Sequence, residues 1–485
     1  MLLLAIAALF LAATVSVALT RIPWCDEAWI ASPGFNLAVH GKLITPVLAF
    51  APDDPKTFGL NQHTYWIMPL HLVLQAGWYK LFGFSLLAMR SISMLWGLAA
   101  LWSWFLIMRA LTEDVDIAIL TVGLLATDFV FIMRAADGRM DMMSAALGYG
   151  ALASYLVLRK RNLNLAMICA HSLVVLSGLT HPNGGVLSLC GVLFLMFYYD
   201  RHSIRWRQLV LATVPYLVGL VGWGLYISED PKLFLVQFGS NASGRLSNIQ
   251  TPWLVLRNEI NRYLLAFGFQ AGAPPIAKIK VLLLLGYLAG VVGTLSVSAL
   301  RRRPGIRVLL ILAAIHVLFL TSQSVKHPVY LIYTVPFFSA LLAVWIFWCW
   351  SNPALPSKAV ALAVAAFIAL QLAAVASVVV RDKYHRSYLP AVAFLKAHAG
   401  PADLVVGEPE LAFALGFDSA FLDDCRLGYY SHVDPRFIVM GDNYRGLIEK
   451  FGHDSPEIAR YITTRLQSEY RPVFENDTYT IFARR

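Results

Sequence analysis

The sequence predicts a mainly α, polytopic membrane helix bundle of about eleven spans, followed by a small α/β domain. Three observations carry this. Hydrophobic residues make up 58% of the 485 and charged residues only 14%, against about 25% charged in soluble domains. Apolar runs of membrane-spanning length recur along most of the chain. The charge also divides unevenly: positions 1–380 hold 26 Lys and Arg with 14 Asp and Glu, whereas positions 381–485 hold 13 and 15. The first part has the composition of a membrane protein and the second that of a soluble domain. The net charge of +10 therefore divides into +12 and −2. Its basic residues lie in short clusters between apolar runs, so no nucleic-acid partner is expected.

The spans are expected near 1–20, 86–108, 116–132, 141–158, 164–179, 183–199, 208–227, 281–300, 308–322, 329–350 and 359–380. Positions 1–20 read as a span rather than a cleaved signal peptide, lacking a basic start and a small-x-small site well before Arg21. Alternate loops fall into two sets. Loops 109–115, 159–163, 200–207, 301–307 and 351–358 pack 12 Lys and Arg into 35 residues. Loops 21–85, 133–140, 180–184, 228–280 and 323–328 spread 13 over 137 residues. Short basic loops stay in the cytoplasm. The second set and the tail are thus expected outside, in a periplasm or its equivalent, and the protein in an inner (plasma) membrane.

The tail, 381–485, reads as a separate extracytoplasmic domain. Helical segments are expected at 391–398, 410–415, 444–451 and 455–468, and strands at 403–407 and 436–440. Segments 471–474 and 479–483 flank Glu475-Asn476-Asp477 as a hairpin. No GxGxxG follows either early strand, which argues against a dinucleotide site. The tail is expected to shape the acceptor side without taking part in the chemistry. Cys169, Cys190 and Cys349 fall in spans; Cys25 and Cys425 fall outside, where a disulfide between them is chemically allowed.

Candidate chemistry collects in the outer loops. Trp24-Cys25-Asp26-Glu27-Ala28-Trp29 follows span 1. It suits an interfacial anchor, and equally a general base held at the membrane surface, where aromatic desolvation favours proton uptake. Asp128 and the run from Arg134 through Asp137 and Arg139 to Asp141 bring three acids and two arginines to membrane depth. They form either a self-neutralising helix cap or a functional cavity. His181, in Thr180-His181-Pro182-Asn183-Gly184, suits a cap or a substrate contact. Lys326 and Tyr330 are four apart, the spacing of one helix face. There they hold a phosphate together, or Lys326 snorkels at a helix end.

These motifs resemble, in order and on one membrane face, those of the GT-C superfamily of membrane glycosyltransferases. The nearest group is the bacterial relatives of dolichyl-phosphate-mannose–protein mannosyltransferase, which include the lipid A aminoarabinose transferase. Asp26-Glu27-Ala28 is followed by Asn36-Leu37-Ala38-Val39-His40-Gly41-Lys42, similar to the family's x-L-A-x-x-G-K. Trp78-Tyr79-Lys80-Leu81-Phe82-Gly83-Phe84-Ser85 leads to Ala88-Met89-Arg90-Ser91. Arg139-Met140-Asp141 precedes span 4, and Lys326, Tyr330 and Pro336 match K-x-x-x-Y-x-x-x-x-x-P. The resemblance covers most of 20–340. Two departures stand out: Asn61-Gln62-His63-Thr64-Tyr65 replaces a Lys/His-Pro-Pro-Leu-Tyr stretch and keeps its Tyr, and His181 stands where the family often has Lys.

The resemblance implies transfer of a sugar from a polyprenyl-phosphate donor to an extracytoplasmic acceptor, which is a lipid, glycan or protein. Asp26 is then the general base, Asp141 the second acid that orients acceptor or base, and Glu27 their neighbour. Lys326 and Tyr330, with Arg134 or Arg139, stabilise the leaving phosphate. His63, Tyr65, Asp137 and His181 contact substrate. No cofactor is required; a divalent metal on Asp26, Glu27, Asp137, Asp141 or His181 is chemically allowed, though no spacing demands it. The alternatives are a transporter or flippase, expected to show repeats and midplane charges, and a polysaccharide polymerase using a similar donor.

Overall fold

The computed structural model describes residues 1–246, 251–270, 274–417 and 420–485. Parts of loop 228–280 (247–250 and 271–273) and of the tail (418–419) lie outside the described residues. The helices run α1 (Leu2–Thr20), α2 (Cys25–His40), α3 (Pro69–Phe82), α4 (Leu86–Thr112), α5 (Val115–Thr127), α6 (Phe129–Ala135) and α7 (Asp141–Leu158). They continue as α8 (Leu163–Thr180), α9 (Pro182–Asp200), α10 (Trp206–Ile227), α11 (Pro231–Leu246), α12 (Pro252–Ala266), α13 (Val281–Ser296), α14 (Ser298–Arg301) and α15 (Pro304–Ser322). The last are α16 (Val335–Ser351), α17 (Ser357–Arg381), α18 (Leu389–His398), α19 (Ala412–Leu415), α20 (Asp442–Asp454) and α21 (Pro456–Glu469).

Among the described residues nine helical segments are long and apolar enough to cross a membrane, α5 and α6 add a bent pair, and α16 is a shorter apolar helix. All eleven expected spans therefore have a helical counterpart. The chain is a multi-pass membrane protein. It divides into two compact units: 1–17, 93–226 and 244–377 form the first; 18–92, 227–243 and 378–485 form the second.

In the first unit small residues let helices approach closely. Ser144 on α7 and Ser177 on α8 exchange hydrogen bonds, with Ser177 Oγ donating to the Ser144 carbonyl at 2.8 Å. A Cβ on Gly185 of α9 would fall 2.5 Å from the Gly178 backbone of α8, so only glycine fits there. The 66° bend between α5 and α6 is held by Asp128. Its Oδ1 accepts from the Phe131 amide at 2.6 Å, as a helix-capping acid does. Its Oδ2 accepts from Tyr287 on α13 and from Gln371 on α17 at 3.1 Å, all fully buried.

The second unit joins the first long loop, a piece of the 228–280 loop, and the whole tail. The tail begins at 378 in this division, close to the expected 380, but it shares its unit with 18–92 and 227–243. The tail carries a five-stranded sheet of β1 (Val405–Gly407), β2 (Phe421–Leu422), β3 (Phe437–Met440), β4 (Tyr470–Glu475) and β5 (Thr480–Arg484), in the order β2-β1-β3-β5-β4. The β1 pairings are parallel; β3/β5 and β4/β5 are antiparallel. The β4–β5 turn follows from its sequence, because Asn476 Oδ1 accepts from the amides of Thr478 and Tyr479. Val406, Ile438, Met440, Tyr444, Ile458, Ile462 and Tyr470 form the tail's core. The two-residue strand β2 escapes the sequence pattern.

Three contacts tie the tail to the first long loop. Leu48 pairs in parallel with Asp423, Arg426 grips the Asp53 carboxylate at 2.7 and 2.9 Å, and the Phe35 and Phe417 rings lie 5.7 Å apart. The tail is not a detached appendage. Neither Cys25 nor Cys425 is in a disulfide, so the bridge that chemistry allowed is not formed.

Candidate functional site

The expected site residues fall into two groups, one in each unit. In the second unit, α2 begins at Cys25, directly after the end of α1. Glu27 is fully buried. It folds back to accept from the Trp24 amide at 2.9 Å, one arm of a capping box. Both its oxygens also take Arg90, Oε1 from Nε and Oε2 from Nη2, each at 2.8 Å. The Arg90 Nη1 donates to the carbonyls of Ala18 and Arg21, and Nη2 to that of Ile22. All five guanidinium donors are thus used, and the pair locks the end of α1 to the start of α2. Gly41 closes α2 in the left-handed conformation at φ 70°, which glycine adopts without strain.

Asp26, the neighbour, is half-buried; the Cys25 thiol lies 3.7 Å from its Oδ1. The two acids are therefore not equivalent. His63 stacks on Tyr65 with centroids 5.3 Å apart, and its Nδ1 lies 3.5 Å from Glu229. Gln237 on α11 fixes this stretch by accepting from the Tyr65 amide at 2.7 Å and donating to the Phe58 and His63 carbonyls. Tyr65 is buried.

In the first unit, three short loops converge. Arg134 pairs with Asp137 at 2.8 Å, and Arg139 Nε with Asp141 Oδ2 at 2.8 Å. Asp141 starts α7 with its Oδ1 buried and without a hydrogen-bond partner among the described residues. His181, from the α8–α9 turn, and Arg134 both lie close enough to act on Asp141 electrostatically. His181 caps α9, its Nδ1 accepting from the Asn183 amide, and its ring meets Tyr330 at 5.5 Å.

The Lys326–Tyr330 spacing does not lie on an α-helix. Pro328–Tyr333 is a 3-10 helix capped by His327, and Lys326 precedes it. The Lys326 ammonium donates to Glu259 at 3.0 Å and to the carbonyls of Leu320 and Thr321 at 3.1 and 2.5 Å. It therefore closes the C-terminus of α15, where a cation is favoured. Tyr330 is buried.

Three residues here went unread in the sequence, Glu259, Arg262 and His327. Arg262, on α12, is fully buried. Its Nη2 donates to Glu259 and, at 2.7 Å, to the Leu320 carbonyl; its Nε and Nη1 have no hydrogen-bond partner among the described residues. The spacing Glu259-x-x-Arg262 was the available signal. Burial, with Arg139 and Arg134 adding to it, pushes the His327 imidazole down to about 4, so it is neutral at neutral pH. This part of the unit thus holds Arg134, Arg139, Arg262 and Lys326 against Asp137, Asp141 and Glu259. Among the described residues no three His, Cys, Asp or Glu are grouped to hold a metal ion.

No family model and no curated protein matches this chain. Solved structures do. ArnT from Cupriavidus metallidurans bound to undecaprenyl phosphate aligns over 99% of this chain and 97% of its own, with a TM-score of 0.64 and 16% identity. The Archaeoglobus fulgidus oligosaccharyltransferase, in complex with zinc and sulfate, aligns over 97% and 67%, with a TM-score of 0.58 and 13% identity. The arabinofuranosyltransferase AftD from Mycobacteria aligns over 99% and 39%, with a TM-score of 0.50 and 13% identity. All are GT-C membrane glycosyltransferases. This chain has the GT-C fold.

Proposed function

We propose that this protein is a glycosyltransferase of a cell inner membrane, moving a sugar from a polyprenyl-phosphate donor to an acceptor on the outer face. The observation that carries the reading is the buried cation group of the first unit, four cations against three acids, in which Nε and Nη1 of Arg262 are buried and have no hydrogen-bond partner among the described residues. Such a group beside apolar spans suits an anion whose tail lies in lipid. The fold supports it, because the aligned ArnT structure contains undecaprenyl phosphate. Short basic loops on the opposite side support the outward orientation.

In this reading Arg262, Arg134, Arg139, Tyr330 and Lys326 neutralise the donor phosphate, and Asp26 is the general base. The acceptor hydroxyl gives its proton to Asp26 as its oxygen bonds to the anomeric carbon. The bond from that carbon to the phosphate oxygen breaks, and polyprenyl phosphate leaves without needing a proton. The configuration inverts, as one displacement requires. Glu27 acts through Arg90 to hold the start of α2, and Asp141 orients the acceptor. His63, Tyr65, Asp137 and His181 contact sugar or acceptor.

The bent α5–α6 pair with its buried Asp128 is the feature a transporter reading would use. Asp128 is, however, engaged by Tyr287, Gln371 and Phe131, which suits a clamp on the bend rather than a permeation path. Mass spectrometry of envelope lipids and glycans with and without the protein tests the proposal. Loss of one sugar modification supports it and names donor sugar and acceptor; an unchanged envelope with altered export of an intact lipid-linked substrate favours the transporter.

A further inference from the structure

Trp29 lies three residues after Asp26 on α2, one helical turn along. Its indole Nε1 donates to Asp423 Oδ2 at 2.7 Å, across 394 positions of sequence. Asp423 is buried at 8% exposure, just beyond β2. Its backbone is fixed to the first long loop, the amide donating to the Val47 carbonyl at 2.7 Å and the carbonyl accepting from the Ala49 amide at 3.1 Å.

The other carboxylate oxygen raises a question of hydrogen count. The Tyr444 hydroxyl oxygen lies 2.7 Å from Asp423 Oδ1 and 2.8 Å from the Gly407 carbonyl. A phenol carries one hydrogen, and both neighbours are acceptors if Asp423 is ionised. One short contact would then be oxygen against oxygen with no proton between them. A proton on Asp423 resolves this: Oδ1–H donates to Tyr444, Tyr444 donates to Gly407, and Oδ2 still accepts from Trp29. The charged surroundings agree. The negative Asp424 favours a proton on Asp423, and Arg426 opposes it while also pairing with Asp53; burial holds the nearby Glu410 neutral and raises Glu408. The Cys425 thiol, pushed up to about 12 chiefly by burial, stays neutral.

We propose that Asp423, held as the neutral acid, is the positioning residue for the helix that carries Asp26, gripping it through the Trp29 indole. The chain Gly407–Tyr444–Asp423–Trp29 then runs from the tail's sheet to the first turns of α2. It gives the tail a part in the reaction that composition did not suggest. The catalytic half of this inference rests on Asp26 being the base; the clamp itself does not.

Hydrogen–deuterium exchange on the full-length protein in detergent reads the clamp directly, as protection factors for amides in 25–40. Trp29→Phe keeps the ring and removes the donor, and Asp423→Leu removes the acceptor. Each should lower protection about threefold to tenfold, the worth of one hydrogen bond, and the double variant should lower it no further. Asp423→Asn matches the neutral acid group for group and should keep wild-type protection. Wild-type protection should change between pH 5 and pH 8, as the proton shared with Tyr444 leaves Asp423, and that of Asp423→Asn should not, a difference that a purely packing role does not produce. Unchanged protection in Trp29→Phe and Asp423→Leu, or additive losses, overturns the proposal.

A second arm measures sugar transfer from a total polyprenyl-phosphate-sugar extract of native membranes. Asp423→Leu should lower the maximal rate and leave donor half-saturation unchanged, whereas Asp26→Asn should lose the rate with protection intact. A normal rate in Asp26→Asn retires Asp26 as the base, and with it the catalytic half of the inference, while the exchange result still decides the clamp.

Discussion

Glu27 and Arg90 form a two-pronged ion pair, 2.8 Å at each prong and fully buried, between the start of α2 and the start of α4. It lies wholly within the second unit. The conspicuous Asp-Glu pair after span 1 therefore divides its labour: Glu27 is committed to structure and Asp26 is left half-buried.

Arg90→Leu is expected to destabilise the protein by about 3–5 kcal/mol, the cost of leaving a buried charge without its partner. The carbonyls of Ala18, Arg21 and Ile22 lose their donor as well. Glu27→Gln leaves the Arg90 guanidinium buried without a counter-ion and should cost about as much. Thermal unfolding in detergent checks both. Near-wild-type melting of either variant would mean that the pair does not anchor α2.

For the phosphate, Arg262→Gln should weaken binding of undecaprenyl phosphate, used as probe, by about 1.5–3 kcal/mol, the worth of a charged hydrogen bond. Lys326→Met should weaken it too, by removing a cation that Glu259 shares with Arg262. The double variant Lys326→Met/Glu259→Gln then recovers part of the loss. No recovery would show that Lys326 meets the phosphate itself, and normal affinity in Arg262→Gln would remove Arg262 from the set.

The tail carries a pH dependence of unusual sign. Burial raises Glu408 from its ordinary 4.5 to about 7, with the Tyr444 amide bond opposing. Burial likewise raises Asp423 from 3.8 to about 6, with the Tyr444 and Trp29 hydrogen bonds opposing and Asp424 adding. Groups raised on folding bind protons more tightly in the native state. Their stabilising effect is full below the ordinary values, about pH 4, and is lost as pH rises through 6 to 7. The second unit should therefore melt higher at pH 5 than at pH 8, and Glu408→Gln should flatten that slope. A melting point that falls from pH 8 to pH 5 contradicts this.

Much of the fold was legible because a span must be long and apolar, and composition alone reveals that. The tail's helices and its β4–β5 hairpin were legible because α20 and α21 keep one apolar face and Asn476 marks the turn. The rest depended on partners far away in sequence. Nothing local distinguishes Trp29 as a ligand of Asp423. Pro328 turns the Lys326–Tyr330 spacing into a 3-10 segment, so a four-residue interval misled. Arg262 sits in a long mixed loop, where one arginine among six basic residues gives no sign that it is buried.

Asp26→Asn keeps the size and hydrogen bonding of the side chain but cannot take a proton. The measurement is turnover of the polyprenyl-phosphate-sugar extract, alongside undecaprenyl phosphate affinity and the melting point. General-base catalysis contributes about 10²–10⁴-fold, so turnover should fall by that factor while affinity and melting stay at wild-type values. Near-normal turnover in Asp26→Asn, with loss in Asp141→Asn, would contradict the assignment and make Asp141 the base.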